Sequence, residues 1–317
     1  MNEFEILEII NNKLSCNSYL GDDCAFLSDL DLFITQDTLV EDVHFSMYTT
    51  SAYLLGRKSV AVNLSDIAAS LSIPKYITIS LSLPSNVKNN FVEEFYRGVN
   101  DICTEYDVKV VGGDITGSDK IVISVCAIGK KNSNFLSSRK FAKKGDYVLT
   151  TGFHGSSSAG LYALSNFLYV DEELLAAHLN PVPRLRESSM LLNCLDCNIA
   201  VMDSSDGLID ALYKISLSSK HSIEVDINKV PVSDKLIHFS KINSLNYKEF
   251  VMWGGEDYEL IVCVPENIYL KLDNNIFTCI GKVVNKDIFP CVYLKDGNSK
   301  FKINADTLIN KSYNHFA

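Results

Sequence analysis

Seven aspartates, Asp22, Asp23, Asp37, Asp66, Asp114, Asp203 and Asp206, sit inside short motifs of small and polar residues instead of on charged helical faces. Carboxylates gathered without counter-charge repel one another and take up protons. Hard oxygen ligands in that number suit Mg²⁺ and a polyphosphate carried with it. The motifs are Gly21-Asp22-Asp23-Cys24-Ala25, Thr35-Gln36-Asp37-Thr38, Asn63-Leu64-Ser65-Asp66, Gly112-Gly113-Asp114 and Asp203-Ser204-Ser205-Asp206-Gly207. Each alone has a structural reading: a turn for Gly-Asp-Asp, a salt bridge for Asp66, a tight turn for the paired glycines, and an N-cap for one of Asp203 and Asp206. A cap does not need both acids, and a turn does not explain Asp114.

Two further runs bear on ligands. Gly155-Ser156-Ser157-Ser158 ahead of a helix offers N–H groups and hydroxyls either to an anion or to simple capping. Trp253-Gly254-Gly255-Glu256-Asp257-Tyr258-Glu259-Leu260 packs three acids, two glycines and two aromatic residues into eight positions. Aromatic rings beside carboxylates suit a cationic heterocycle. The chain has no G-x-x-x-x-G-K-[ST] run and no H-R-D followed by D-F-G, so neither a P-loop enzyme nor a protein kinase is supported.

Positioning these groups requires alternating strands and helices. The pattern predicts a strand over 32–37 ending at Asp37, a helix over 51–71 with Asn63, Asp66 and Ser70 on a polar stripe, and an alternating strand over 76–83. A helix follows over 91–106, then a strand over 108–111 that stops at Gly112, and another over 121–128. The polar stretch 132–138 reads as a linker, after which a second α/β unit begins with a strand over 147–151. Residues 199–202 form a strand leading into the Asp203 motif, with an amphipathic helix from Leu208. Residues 258–264 form a further strand.

Composition narrows the classes. With 317 residues, 47% of them hydrophobic, the chain is long enough for two domains. A net charge of −10 argues against a nucleic-acid surface. Lys130-Lys131, Arg139-Lys140 and Lys143-Lys144 form the one basic stretch, readable as a solvated linker or a phosphate contact. The acidic start, Met1-Asn2-Glu3, is unlike a secretory leader, and no apolar run approaches the roughly 20 residues of a membrane span. Cys194 and Cys197 stand in C-x-x-C spacing without a second half-site among the nine cysteines, so reduced thiols in the cytoplasm are expected.

Taken in order, the motifs just quoted, with Glu41, His44-Phe45 and Gly254-Gly255-Glu256-Asp257-Tyr258-Glu259-Leu260, resemble the thiamine-monophosphate kinase family of the AIR-synthetase-like superfamily. The resemblance implies an α/β (α+β) fold of two domains, 1–136 and 137–317. The N-terminal sheet would pair in a homodimer, and ATP would lie between the domains. It implies ATP-dependent phosphorylation of thiamine monophosphate by direct in-line transfer, with several Mg²⁺ ions held by Asp23, Thr35, Gln36, Asp37, Asp66, Asp114, Asp203 and Asp206. Catalysis would fall to Asp66, Asp114, Asp206 and Arg139, ATP binding to Arg139, Ser205 and Gly113, and substrate binding to His44, Asp257 and Tyr313. Asp22 is left as an outer ligand or a loop-shaping neighbour of Asp23. The chain departs from the family at Asp42, at Ser70-Leu71-Ser72 and at Ile115. The nearest rivals are AIR synthetase and selenophosphate synthetase. The Gly-Gly-Glu-Asp-Tyr-Glu-Leu run favours the kinase, and no Cys or Lys near Gly21 suits the selenium enzyme. A non-enzymatic acidic cation-binding module would bind metal without turning over ATP.

Overall fold

The computed structural model describes residues 3–15 and 19–311. Its first half comprises α1 (Glu3–Lys13), β1 (Ala25–Leu27), β2 (Leu32–Val40), α2 (Ala52–Ala69), β3 (Ser72–Leu83), α3 (Asn89–Glu105), β4 (Lys109–Gly117) and β5 (Val122–Lys131). The strands form one sheet in the order β1-β2-β5-β3-β4. Only β3 and β4, joined by the α3 crossover, run parallel; the other pairs are antiparallel.

The second half contains β6 (Tyr147–Thr150), α4 (Ser156–Ser165), α5 (Glu172–Leu179), α6 (Leu185–Leu192), β7 (Ala200–Asp203), α7 (Leu208–Ser219), β8 (His221–Asp226), α8 (Asp234–Ile242) and α9 (Tyr247–Trp253). It closes with β9 (Leu260–Val264), α10 (Glu266–Tyr269), β10 (Thr278–Lys286), β11 (Val292–Asp296), β12 (Ser299–Ile303) and α11 (Ala305–Lys311). Its sheet runs β12-β11-β8-β10-β6-β9-β7. Only β8 and β11 are parallel neighbours.

Most strand boundaries differ from the sequence pattern, β5 running to Lys131 and β9 starting at Leu260 among them, and three of the differences have a clear pairing reason. β2 does not end at Asp37, because its ladder with β5 continues from Asp37–Val125 to Val40–Val122. Asp37 is therefore mid-strand, and its N–H donates to Asn63 Oδ1 at 3.0 Å. β3 begins four residues before Tyr76 and accommodates Pro74 where its register with β5 shifts. β4 does not stop at Gly112-Gly113. A Cβ on Gly113 would lie 1.9 Å from Ile79 O, so glycine here lets the strand run on close beside β3.

α2 begins at Ser51, whose side chain accepts the Leu54 N–H. The expected polar stripe is present, but the helix is not amphipathic toward water: Lys58, Ser59, Asn63 and Ser65 are buried with Leu55, Leu64 and Ile67. One side packs in the first sheet's core with Phe95, Val99 and Ile123. Ala68 and Ala69 at its end join a second core with Leu149, Val201, Leu260 and Val262 of the other sheet. Fully burying Leu64 and Ile67, each 0% exposed, is worth about 2 kcal/mol apiece. No described helix is long and apolar enough to cross a membrane.

Candidate active site

Where α2 meets both sheets, carboxylate oxygens of Asp23, Asp66 and Asp203 lie within 4.8 Å of one another. Asp23 comes from the turn before β1, Asp66 from α2, and Asp203 from the end of β7. Thr35 Oγ1 on β2 donates to Asp66 Oδ2 at 2.5 Å, and Ser65 Oγ donates to Asp203 Oδ2 at 2.6 Å. Asp203 Oδ1 is buried with no hydrogen-bond partner.

Burial pushes all these carboxyls up. Asp203 rises to about 7, with Asp23 adding repulsion, and Asp37 rises to about 6, with Asp206 and Asp23 adding theirs. Asp66 is driven well above the usual carboxylate range by burial and then by Asp37. Asp23 is raised by burial, against the pull of the Arg139 guanidinium paired with it. Buried oxygen-only donors under mutual repulsion, one oxygen orphaned, fit a divalent cation of the Mg²⁺ kind.

A cavity of about 630 Å³ adjoins this cluster, with Asp66 the one of its three carboxylates in the walls. Asp37, Asp66, Ser205, Asp206 and Tyr258 line one region, and His44, Phe45, Leu161 and Trp253 are among its other walls. His44 Nδ1 accepts the Val40 N–H at 3.1 Å, which places the ring's proton on Nε2. Gly207, at φ +104°, caps α7 where a Cβ would meet Gly254 O at 2.5 Å, so the Asp203 and Gly254 loops touch backbone to backbone. Glu256 N–H completes the contact by donating to Ser205 O at 2.6 Å.

Several expected residues take other positions. Asp114 is on exposed β4, three strands from β2 through the row Asp37, Val125, Ile79 and Gly113, or about 14 Å at ordinary strand spacing. Gly113 shares that edge. Gln36 alternates to the opposite face from Asp37, and its Nε2 donates to Ser124 Oγ. Neither Asp203 nor Asp206 caps α7, whose N-cap is Gly207. Asp206 instead pairs with Lys214 at 2.7 Å, and Lys214 also reaches Asp210 at 2.7 Å. Asp22 ties the linker down, accepting from Arg139 N–H at 2.8 Å and Ser138 Oγ at 2.7 Å. Arg139 reaches the cluster through Asp23, and its Nε is buried without a partner.

The anion at the N-terminus of α4 is the protein's own. Asp257 Oδ2 accepts from Gly155 N–H at 2.6 Å and Oδ1 from Ser157 N–H at 3.0 Å. With its side chain 1% exposed, Asp257 does not present its carboxylate to the cavity, contrary to its expected substrate contact. The Gly155 run thus does hold an anion on its N–H groups, an internal one, and its N-cap residue makes no side-chain cap. Tyr313 lies outside the described residues.

The sequence reading passed over the cations that hold this region. Lys58 Nζ on α2 pairs with Glu256 at 2.9 Å, and His178 Nδ1 lies 3.1 Å from the same Glu256 oxygen. Burial would raise Glu256, but Lys58 and His178 outweigh it and bring it to about 2. Arg184 forks onto Glu259, whose Oε2 also accepts from Thr151 Oγ1 at 2.7 Å. The Arg57-Lys58 pair inside α2 was a legible signal, as was Lys214 four residues after Asp210.

Comparison with known proteins then gives the lineage. Residues 21–130 match the family described as AIR synthase related protein, N-terminal domain. Thiamine-monophosphate kinase of Bacillus subtilis is 32% identical over 340 aligned positions, covering 100% of both chains. That of Synechococcus elongatus is 32% identical, covering 84% of each. The solved structure of AaThiL complexed with AMPPCP and TMP superposes with a TM-score of 0.86 at 31% identity, covering 99% of this chain and 97% of that one.

Proposed function

The chain belongs to the thiamine-monophosphate kinase family, and from that premise we propose that it transfers the γ-phosphoryl group of ATP directly to thiamine monophosphate, giving thiamine diphosphate and ADP. The observation that carries this reading is the carboxylate cluster of Asp23, Asp66 and Asp203, drawn from both halves of the chain and reaching, through Asp66, a cavity of substrate size.

The acceptor is already a phosphate, and its second pKa of about 6 leaves it largely ionised at neutral pH. No general base is required of the protein. Two anions must instead be brought together in line. Asp23, Asp66 and Asp203 would hold Mg²⁺, with Asp37 and Asp206 beside them. When bound, the ions supply neutralisation of the phosphate charge. Thr35 and Ser65 fix the rotamers of Asp66 and Asp203. Arg139 holds Asp23 and would give its buried, unpartnered Nε–H to a phosphate oxygen, while Ser205 lines the cavity beside Asp206.

β4, exposed along all nine residues, is the edge through which we place the homodimer. Asp114 and Gly113 lie on it and would serve an ion or nucleotide site only across that boundary. We also place the enzyme in the cytoplasm, in keeping with its free thiols. Incubation with MgATP and thiamine monophosphate, followed by chromatography, tests the reading. Thiamine diphosphate should appear in step with ADP, and intact ATP with no product would rule the assignment out.

A further inference from the structure

The cavity is chemically lopsided. Its walls include Asp37, Asp42, Asp66, Asp206 and Glu256, yet no Lys or Arg among the described residues. Lys58, Lys214 and Lys120 pair with Glu256, Asp206 and Asp42 but are not themselves walls, so a ligand with positive charge of its own, or one arriving with cations, meets carboxylates there and no lysine or arginine among the described residues. The acceptor phosphate belongs at the Asp37 and Asp66 end, where bound cations can neutralise it. The rest of the molecule must then extend toward the other walls.

Two aromatic residues of the Trp253–Leu260 run touch the cavity, and the fold separates their environments. Tyr258 is buried, 6% exposed, and its phenol is pushed up by burial and by Glu256, Asp37, Asp203 and Asp206, so its ring sits among the acids. Trp253 is only partly buried at the last position of α9. It lines both this cavity and an adjoining one of about 430 Å³, as do Leu161 and Ser165 of α4. The indole thus stands at the boundary of the two spaces, braced on the core that includes Val251 and Ala163. Nearby, Phe250 and Tyr162 meet edge to face at 5.7 Å, which fixes α9 against α4. Indole is the strongest of the side-chain π faces for a cation.

Building on the kinase reading, we propose that Trp253 is the platform on which the cationic aromatic part of the acceptor stacks, and that this contact makes the chain prefer thiamine monophosphate to phosphates without such a ring.

Trp253 is the only tryptophan of the chain, so the wild-type enzyme reports on the contact directly. Titration with thiamine monophosphate should quench its fluorescence saturably, and inorganic phosphate should not. Trp253→Leu should raise KM for thiamine monophosphate about 10-fold, equivalent to about 1.4 kcal/mol, with kcat within about twofold. Trp253→Phe should restore most of the lost KM. Equal KM values in the Leu and Phe variants, or a loss confined to kcat, would overturn the platform. If the Leu variant fails to fold, the wild-type titration decides: turnover without quenching removes Trp253 and leaves the kinase reading standing. Absence of wild-type turnover removes both.

Discussion

Replacing Asp203 by Asn should make the metal-free protein more stable at pH 8 and less able to respond to Mg²⁺. The folded protein holds the Asp203 carboxyl at about 7 instead of 3.8, chiefly by burial and then by Asp23. A tenfold change in proton affinity is worth about 1.4 kcal/mol, so the ionised Asp203 costs the fold about 4 kcal/mol once the pH exceeds 7. Because the folded value is the higher one, stability is lost as pH rises from about 4 through 7. At pH 5 only about a third of the cost has accrued. Asn keeps the Ser65 hydroxyl bonded through its carbonyl oxygen but buries an amide NH₂ where Asp203 Oδ1 has no partner. That offsets about 1–3 kcal/mol. The variant should gain on the order of 2 kcal/mol at pH 8 in EDTA, a rise of several degrees in Tm for a chain of this size. The gain should shrink toward pH 5. Saturating Mg²⁺ should reverse the order, since a ligand at 100 times its Kd adds about 2.7 kcal/mol to the wild type alone. Thermal melts at both pH values, with and without Mg²⁺, decide it. A variant less stable than wild type in EDTA at pH 8, or equally stabilised by Mg²⁺, would refute the idea that burying an ionised Asp203, with Asp23 beside it, is what costs the metal-free protein its stability.

Asp66→Asn keeps the Thr35 hydrogen bond and should fold normally by circular dichroism while kcat falls by about 10³-fold or more. A rate near wild type would remove Asp66 from the ion site. Glu259→Gln leaves Arg184, which forks onto it, without its charge partner beneath the 2%-exposed Glu259 position. It should lower the unfolding free energy in urea by about 3 kcal/mol, and a loss under about 1 kcal/mol would show the pair to be well solvated.

Local pattern revealed the elements better than their ends. The alternation of Ile77, Ile79 and Leu81 reads directly as a half-buried strand, and these residues are indeed at most 1% exposed. The continuation of β4 through Gly112-Gly113 was hidden because it depends on β3, whose Ile79 backbone lies against Gly113. In α2 the periodicity was correct, but no single-helix pattern reveals that two sheets cover it. The same limit governs the site. Strand ends and small-residue motifs marked Asp23, Asp66 and Asp203, which the fold brings together. The fate of Asp257 was set by N–H groups about 100 residues earlier, and that of Asp22 by a linker 116 or 117 residues later.

α2 belongs to both cores, with Leu64 and Ile67 in one and Ala68 and Ala69 in the other. Its Lys58 and Ser65 bond to Glu256 and Asp203 in the second half. A hinge between the halves would have to tear this shared helix from one of its two beds. The two sheets should therefore melt in a single transition. A fragment ending before residue 137 would carry away a helix still shaped for a neighbour it no longer has.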